Sequence, residues 1–496
     1  METNNSKQKK NSYRDNFKTT ILFSFVQIYQ IFIRIVRSKF VAMFLGPEGM
    51  GITSLLHSTT DLISASTNMG LKTSGVRSVA AANSLQDQAK IAEISTVVRR
   101  LIMITGLFGM LICACFSPLW SLNSFGNYDY TWAFVIVSVV ILLDQLNYGE
   151  LVLLQGLQKR TFLAKANIIG QTISLFVIVP LYYFFRVKAI VWVLVIASLT
   201  TFIISKCYTK RLNIPKVHVT FREVFSLGRE MIKLGVLLSI QHMMAQLSMY
   251  IVRNYVSQVG SLTDVGLYSA GSTIINLYLS LVFTAMATDY FPRLSKTKNN
   301  EELHNTIQQQ AEITIFLFAP IIVLFIVFIK PVILLLYSEE FLPIEMMLYF
   351  AMGATLIKAL AWSQSYSIVA KAKAKVYFWN EVVAITNNLI LNILGYKLFG
   401  LTGFGISIVI GYILYLIQVS CVTKKYFNFS FSSIIWKYFI ILNIFVVASL
   451  VSKIALSNFW GYIFGSIIFM ICLCYSYREL DKRVGIKDAL INKFRK

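Results

Sequence analysis

The sequence predicts an all-α polytopic membrane protein with about 14 transmembrane helices, arranged as two six-helix bundles plus a C-terminal helix pair. Apolar residues make up 56% of the 496-residue chain and charged residues only 14%, whereas soluble domains carry about 25% charged residues. The mean hydropathy is +0.65. The apolar residues come in blocks of about 20, the length that crosses a hydrocarbon core roughly 30 Å thick. Between the blocks the connections are short, and no soluble domain is inserted.

Taken in order, the predicted spans are roughly 19–45, 50–72, 99–120, 131–157, 162–185, 188–208, 231–258, 265–290, 312–337, 343–370, 376–398, 401–422, 434–453 and 457–476. Several exceed the minimum length and are expected to tilt. The basic, polar start of the chain lacks a small-residue cleavage site and reads as a cytoplasmic tail, not a cleaved signal. Gly46-Pro47-Glu48-Gly49 is expected to end the first span in a turn, because Pro and paired Gly cannot continue it. The loop from Thr73 to Val98 carries Arg77, Asp87, Lys90 and Glu93 among apolar positions and reads as a cytoplasmic amphipathic segment lying at the interface. Pro215 to Arg229 is the longest polar connection, with Pro292 to Glu312 as the second-half counterpart of the first loop. With the N-terminus inside, cytoplasmic segments hold 36 Lys and Arg, against 9 at the outer ends and loops. That bias predicts both termini in the cytoplasm and an even number of spans.

A formal net charge of +23 could suggest nucleic acid, but the basic residues sit in short segments on alternate sides of the membrane and no RNA- or DNA-binding motif interrupts them. The six cysteines (Cys113, Cys115, Cys207, Cys421, Cys472 and Cys474) lie in or at the ends of apolar blocks, with no metal-ligand or disulfide pattern. No HExxH, P-loop, GxSxG or acidic metal cluster is present. These features predict a transporter with no cofactor and no ATP site of its own, and not an enzyme.

An internal repeat divides the chain. Val36-Arg37 followed by Gly49-Met50-Gly51-Ile52 is echoed by Val252-Arg253 followed by Asp264-Val265-Gly266-Leu267. The offset maps Gln30 onto Gln246, Arg37 onto Arg253 and Arg77 onto Arg293. With a one-residue gap it maps Ser54, His57 and Asp61 onto Ser269, Ser272 and Asn276. Six spans separate equivalent points, so the halves form a parallel repeat: a first lobe over 1–212, a second over 213–425, and a helix pair with a basic tail over 426–496. In transporters such repeats set the substrate site between the two bundles.

Polar stripes run along the first, second, seventh and eighth spans. Gln27, Gln30, Arg34 and Arg37 share one helical face, as do Ser54, His57, Asp61, Ser64 and Asn68. Ser239, His242, Gln246 and Arg253 repeat the pattern, followed by Ser269, Ser272 and Asn276. The stripes are expected to line one basic, hydrophilic cleft; the alternative is that they only hydrogen-bond helices together. Arg34 lies roughly 18 Å below the outer turn and Arg37 about 13 Å, depths at which an arginine normally faces a cavity or a partner. Lys39, and Lys358 beside Trp362 and Ser365, extend the basic set. Arginine stays charged and offers a planar fork of donors, which suits phosphate. The substrate-binding candidates are therefore Arg34, Arg37, Lys39, Arg253, Lys358, Gln30, Gln246, Ser54 and Asn276. Asp61, Asp144 and Glu150 are expected to neutralise the empty cleft or bind a proton or sodium, and His57 and His242 to titrate near neutral pH. Asp61, Asp144, His57 and His242 are thus the coupling candidates. A structural lock of Arg34 onto Asp61 or Asp144 is the competing reading, and Glu345 and Glu381 read as boundary residues.

Several stretches resemble the bacterial O-antigen and enterobacterial common antigen flippases, relatives of lipid II flippases and multidrug-and-toxin extrusion proteins. They are Phe44 to Gly51, Asn123 to Tyr130, Asp264 to Tyr268 with Tyr290 to Ser295, Leu336 to Phe341, and Ile368 to Ala372 with Asn380 to Val382. No single motif is specific, but they keep their order across most of the chain. The resemblance implies two six-helix lobes and a helix pair working by alternating access. The implied substrate is an undecaprenyl-diphosphate-linked oligosaccharide, carried from the cytoplasmic to the periplasmic leaflet of the inner membrane. Membrane lipid, a polysaccharide polymerase and a chain-length regulator are the implied partners. The family's basic cavity would correspond here to Arg34, Arg37, Lys39 and Arg253.

Overall fold

The computed structural model describes residues 2–485 apart from Lys216 and Ser457, with side chains from Val26 onward except at 216, 277–281, 457, 458 and 484. The expected basic C-terminal tail beyond 485 lies outside the described residues. Among those residues the chain is helical throughout, with no strand. In order, the helices are α1 (Glu2–Thr67), α2 (Leu71–Ser84), α3 (Gln88–Cys115), α4 (Ser117–Phe125), α5 (Thr131–Gly156), α6 (Arg160–Phe185), α7 (Ile190–Lys210) and α8 (Phe221–Val259). They continue with α9 (Leu262–Lys296), α10 (Asn300–Val327), α11 (Ile329–Leu336), α12 (Glu345–Gly353), α13 (Thr355–Ala370), α14 (Ala374–Phe427), α15 (Ser433–Ala455) and α16 (Asn458–Val484).

Eight of the described helical stretches are long and apolar enough to cross a membrane, or nine if the bent pair α12–α13 counts as one. Three long stretches each contain two of the spans expected from the sequence, with a break where the spans should part. In α1 the break is Gly46 (φ 65, ψ −173), followed directly by Pro47. In α14 it is Gly400 (φ 58, ψ −140). Between α6 and α7 it is Arg186 (φ 47) and the short 3-10 turn Arg186–Ala189. Left-handed φ is easiest for glycine, and proline suits the first turn of the helix that resumes. A straight 54-residue helix such as α14 would be about 80 Å long, over twice a hydrocarbon core. The Gly400 break therefore splits it into two crossings.

Three expectations about the connections are corrected. The second span ends at Thr67, not 72, because Met69 and Gly70 (φ 49 and 66) turn the chain. The segment 73–98 forms α2 and the start of α3, so the third span begins earlier than expected. Asp87 caps α3, its carboxylate accepting from the amides of Ala89 (2.9 Å) and Lys90 (3.2 Å), so the helix starts eleven residues ahead of position 99. Pro292 lies inside α9, and the break follows at 297–299, where the Asn299 side chain accepts from the Glu302 amide at 2.8 Å and starts α10. In the last two cases a side-chain cap sets the start of a helix within polar sequence that reads as a loop.

The chain packs as two compact units, Met1–Gly266 with Leu336–Ser338, and Leu267–Leu335 with Glu339–Lys496. In the first, one apolar core joins α1, α5, α6 and α7 through Leu56, Phe134, Ile141, Tyr182 and Val193. A second joins α2, α3, α5 and α8 through Val79, Val98, Leu101, Leu153 and Val224. Backbone approaches as close as atoms allow bind α8 to this unit. A Cβ on Gly70 would sit 2.0 Å from the carbonyl oxygen of Gly235 in α8; at the start of α9, one on Gly266 would likewise sit 1.8 Å from that of Pro47. The lobes 1–212 and 213–425 describe the sequence repeat, whereas these units describe packing, and α8 falls in the first.

In the second unit Phe316, Phe318 and Ile322 of α10 and Leu356 and Leu360 of α13 are buried. Arg483 near the end of α16 reaches Glu312 on α10 and Glu479 (3.1 Å), with its guanidinium over the rings of Phe316 (5.2 Å) and Tyr438 (4.8 Å). That ties α16 to α10 and α15.

Candidate functional site: a polar cavity in the first unit

After the Gly46 break, α1 carries Ser54, His57, Asp61 and Ser64 along one face, each three or four residues from the last, and Asn68 follows just past its end. The α1–α2 turn follows, then Lys72. From the other side α5 presents Tyr148 and α8 presents Ser239, His242 and Gln246. Together Asp61, Ser64, Asn68, Lys72, Tyr148 and these three α8 residues line a cavity of about 460 Å³. Stripes that the sequence places 170 to 190 residues apart thus meet in one cavity.

The wall is held from behind. Gln145, fully buried on α5, donates its side-chain amide to the carbonyl oxygen (3.3 Å) and hydroxyl (3.1 Å) of Ser64. The Lys72 ammonium lies over the Tyr148 ring, 4.1 Å from its centroid. The Asn68 side-chain oxygen is sealed from solvent and has no partner within the protein. Buried polar atoms nearly always have one.

One helical turn back along α1, the charges of Asp61, Arg37 and Arg253 all act on His57. Asp144 is hydrogen-bonded to Ser198 and feels both Asp61 and Arg37. Arg37 and Arg253, paired by the repeat, thus both lie within electrostatic reach of His57 in the first unit. Arg34, by contrast, is exposed on α1. The expected lock of Arg34 onto Asp61 or Asp144 is absent: among the described residues neither carboxylate forms an ion pair with it. Gln30 is half-buried on the first half of α1, and the Lys39 ammonium is bonded to the Tyr337 carbonyl.

Glu150 does not belong with Asp61 and Asp144. Both its oxygens accept from Arg99, at 3.2 and 2.7 Å, and the Thr209 hydroxyl also donates to it. It is a buried tie between α3, α5 and α7. Asn276 and Lys358 lie in the second unit. Asn276 is exposed there, and the Lys358 ammonium sits over the rings of Phe283 (5.4 Å) and Tyr412 (5.3 Å), with Trp362 packed on Phe283. Glu345 and Glu381 accept hydrogen bonds from Tyr349 (2.7 Å) and Tyr415 (2.8 Å). Sequence reasoning missed Lys72 and the role of Gln145. Lys72 follows Asn68 by four residues, but the Gly70 turn removes the helical register that would reveal it.

These features define a multi-pass helical membrane protein with a polar cavity inside an apolar bundle. Residues 40–346, more than half of the chain, match the polysaccharide biosynthesis protein family, and the chain belongs to that family. No curated protein sequence matches. The fold is similar to a lipid II flippase, MurJ, in an inward closed conformation, with a TM-score of 0.70, 16% identity, and coverage of 94% of this chain and 99% of that one. It is also similar to an inward-facing multidrug resistance MATE transporter of the MOP superfamily (TM-score 0.67, 14% identity, 80% and 94% covered). A third similar structure is a MOP superfamily transporter from Pyrococcus furiosus, described for the reverse polarity of its binding pocket (TM-score 0.59, 15% identity, 83% and 96% covered).

Proposed function

We propose that this protein is a flippase for an undecaprenyl-diphosphate-linked oligosaccharide, an O-antigen, common-antigen or capsule repeat unit. It moves its substrate from the cytoplasmic to the periplasmic leaflet of the inner membrane by alternating access, with both termini in the cytoplasm. The observation that carries the reading is a polar cavity in an otherwise apolar bundle, with Arg37 and Arg253 both within electrostatic reach of His57 one turn along α1 from its lining. Two guanidinium groups suit a diphosphate. Sugar hydroxyls stripped of water cost several kcal/mol each unless partners replace it, which is the physical need for a polar wall. An inside-negative potential favours outward movement of the anion by about 2.3 kcal/mol per charge per 100 mV. Asp61, Asp144, His57 and His242 are the residues on which a proton or sodium step would reset the carrier. No cofactor and no bond chemistry are involved, and a polysaccharide polymerase and chain-length regulator act on the product.

The basic character favours this reading over export of cationic drugs, which an acidic, aromatic pocket would serve. Arg37→Ala and Arg253→Ala, singly and together, test it at matched expression. Surface glycan should fall at least tenfold in the double variant while lipid-linked sugar accumulates in the inner leaflet. Normal export in the double variant would overturn the assignment.

A further inference from the structure

We propose that the cavity bounded by Asp61, Ser64, Asn68, Lys72, Tyr148 and Gln246 is the subsite for the uncharged, membrane-proximal sugars of the substrate, separate from the arginine pair. The inference rests on the flippase reading and adds to it where the glycan lies and which chemistry it meets.

Hydrogen-bond supply is the first support. A pyranose hydroxyl both donates and accepts, so its wall must offer both kinds of group. Asp61 accepts; Lys72 donates; the Gln246 amide does both. The Ser64 oxygen already accepts from Gln145, which leaves its proton to donate.

Charge is the second. The Asp61 carboxylate and Lys72 ammonium offset one another in the lining, whereas Arg37 and Arg253 add. A phosphate therefore gains more beside the arginines, and a neutral hydroxyl-rich group gains more in the cavity. Its volume of about 460 Å³ falls in the usual 300–1,000 Å³ range of small-ligand sites, and it equals the share of about 15 liquid waters.

Order along the helix is the third. His57, where the arginine charges converge, precedes Ser64 by about 10 Å and Asn68 by about 16 Å along α1. A diphosphate held by the arginines leaves the next sugars to run along this face toward the Asn68–Gly70 turn. There the backbone contact of Gly70 with Gly235 closes the end of the groove.

The test compares two lipids on the full-length protein in nanodiscs of phosphatidylethanolamine and phosphatidylglycerol. One is bare undecaprenyl diphosphate. The other is the lipid-linked oligosaccharide extracted from a strain deleted for this gene. Wild-type protein should bind the second about tenfold more tightly than the first. Asn68→Ala removes a polar side chain from the lining, and Ser239→Phe fills the cavity from α8. Each should bring that ratio to within twofold of one. Because Asn68 sits in a turn, Ser239→Phe supplies an independent arm, and thermal unfolding shows that both variants fold. The proposal is overturned by a wild-type ratio of one, by a ratio that stays near tenfold in both folded variants, or by an equal loss of affinity for both lipids. Failure of wild-type protein to bind bare undecaprenyl diphosphate, or absence of accumulated lipid-linked oligosaccharide in the deletion strain, would instead overturn the flippase reading.

Discussion

Along α13 and α14 of the second unit, polar side chains in mid-helix find one another. Gln364 accepts from Ser420 (3.1 Å) and Thr423 (3.2 Å), Gln418 donates to Asn380 (2.6 and 2.9 Å), and the Tyr415 hydroxyl meets Glu381 (2.8 Å) and Ser365 (3.0 Å). Along α1 and α8 of the first unit, Asp61, Asn68 and His242 face a cavity instead. Both stripes are polar residues at helical spacing in apolar sequence, and composition alone does not separate them. The difference is what lies across the helix face. Polar residues on two packed helices form interhelical hydrogen bonds, whereas residues around a void are left for water or ligand. A polar stripe in a membrane helix is therefore evidence for a site only where its side chains are not already consumed.

Glu150 supplies the strongest way to break that contrast, because it sits in the first unit yet behaves as a consumed residue. Glu150→Gln should lower stability in detergent by roughly 1–3 kcal/mol, less than for a fully enclosed pair because Arg99 is 40% exposed. Thermal unfolding measures it, and an unchanged midpoint would show that the tie between α3, α5 and α7 carries little. Gln364→Leu is the corresponding change in the second unit. Two interhelical hydrogen bonds at about 0.6 kcal/mol each predict a loss of about 1 kcal/mol, with surface glycan export unchanged at equal expression. An export defect without loss of stability would move the functional stripe into the second unit. Smallest of all is Arg34→Ala. Its exposed guanidinium stands apart from the group around His57, so export should change by less than twofold under conditions where Arg37→Ala reduces it severalfold. Equal defects in the two would show that the arginine face of α1 acts as a whole.

Much of the site could be read from spacing. The 3-and-4 recurrence of His57, Asp61, Ser64 and Asn68, and of Ser239, His242 and Gln246, is visible in one dimension, because helical geometry fixes which residues share a face. The repeat likewise pairs Arg37 with Arg253 along the sequence. What spacing could not resolve was the fate of each charge. Glu150 and Asp144 lie on the same helix six residues apart, yet Glu150 is held by Arg99 and Thr209 while Asp144 is hydrogen-bonded to Ser198 near Arg37. Lys72 became visible only once the turn at Met69 and Gly70 set it beside Tyr148.

By itself, the sequence determined that this chain is a bundle of membrane-crossing helices, where its long helices break, and which faces are polar. Those properties follow from hydrophobicity, from backbone preferences at Gly46, Pro47 and Gly400, and from helical periodicity, all of which act locally along the chain. Only the tertiary structure decided which polar faces meet a partner and which meet a cavity. That outcome depends on how distant helices pack, and on close backbone approaches such as that of Gly70 to Gly235, which local sequence does not encode.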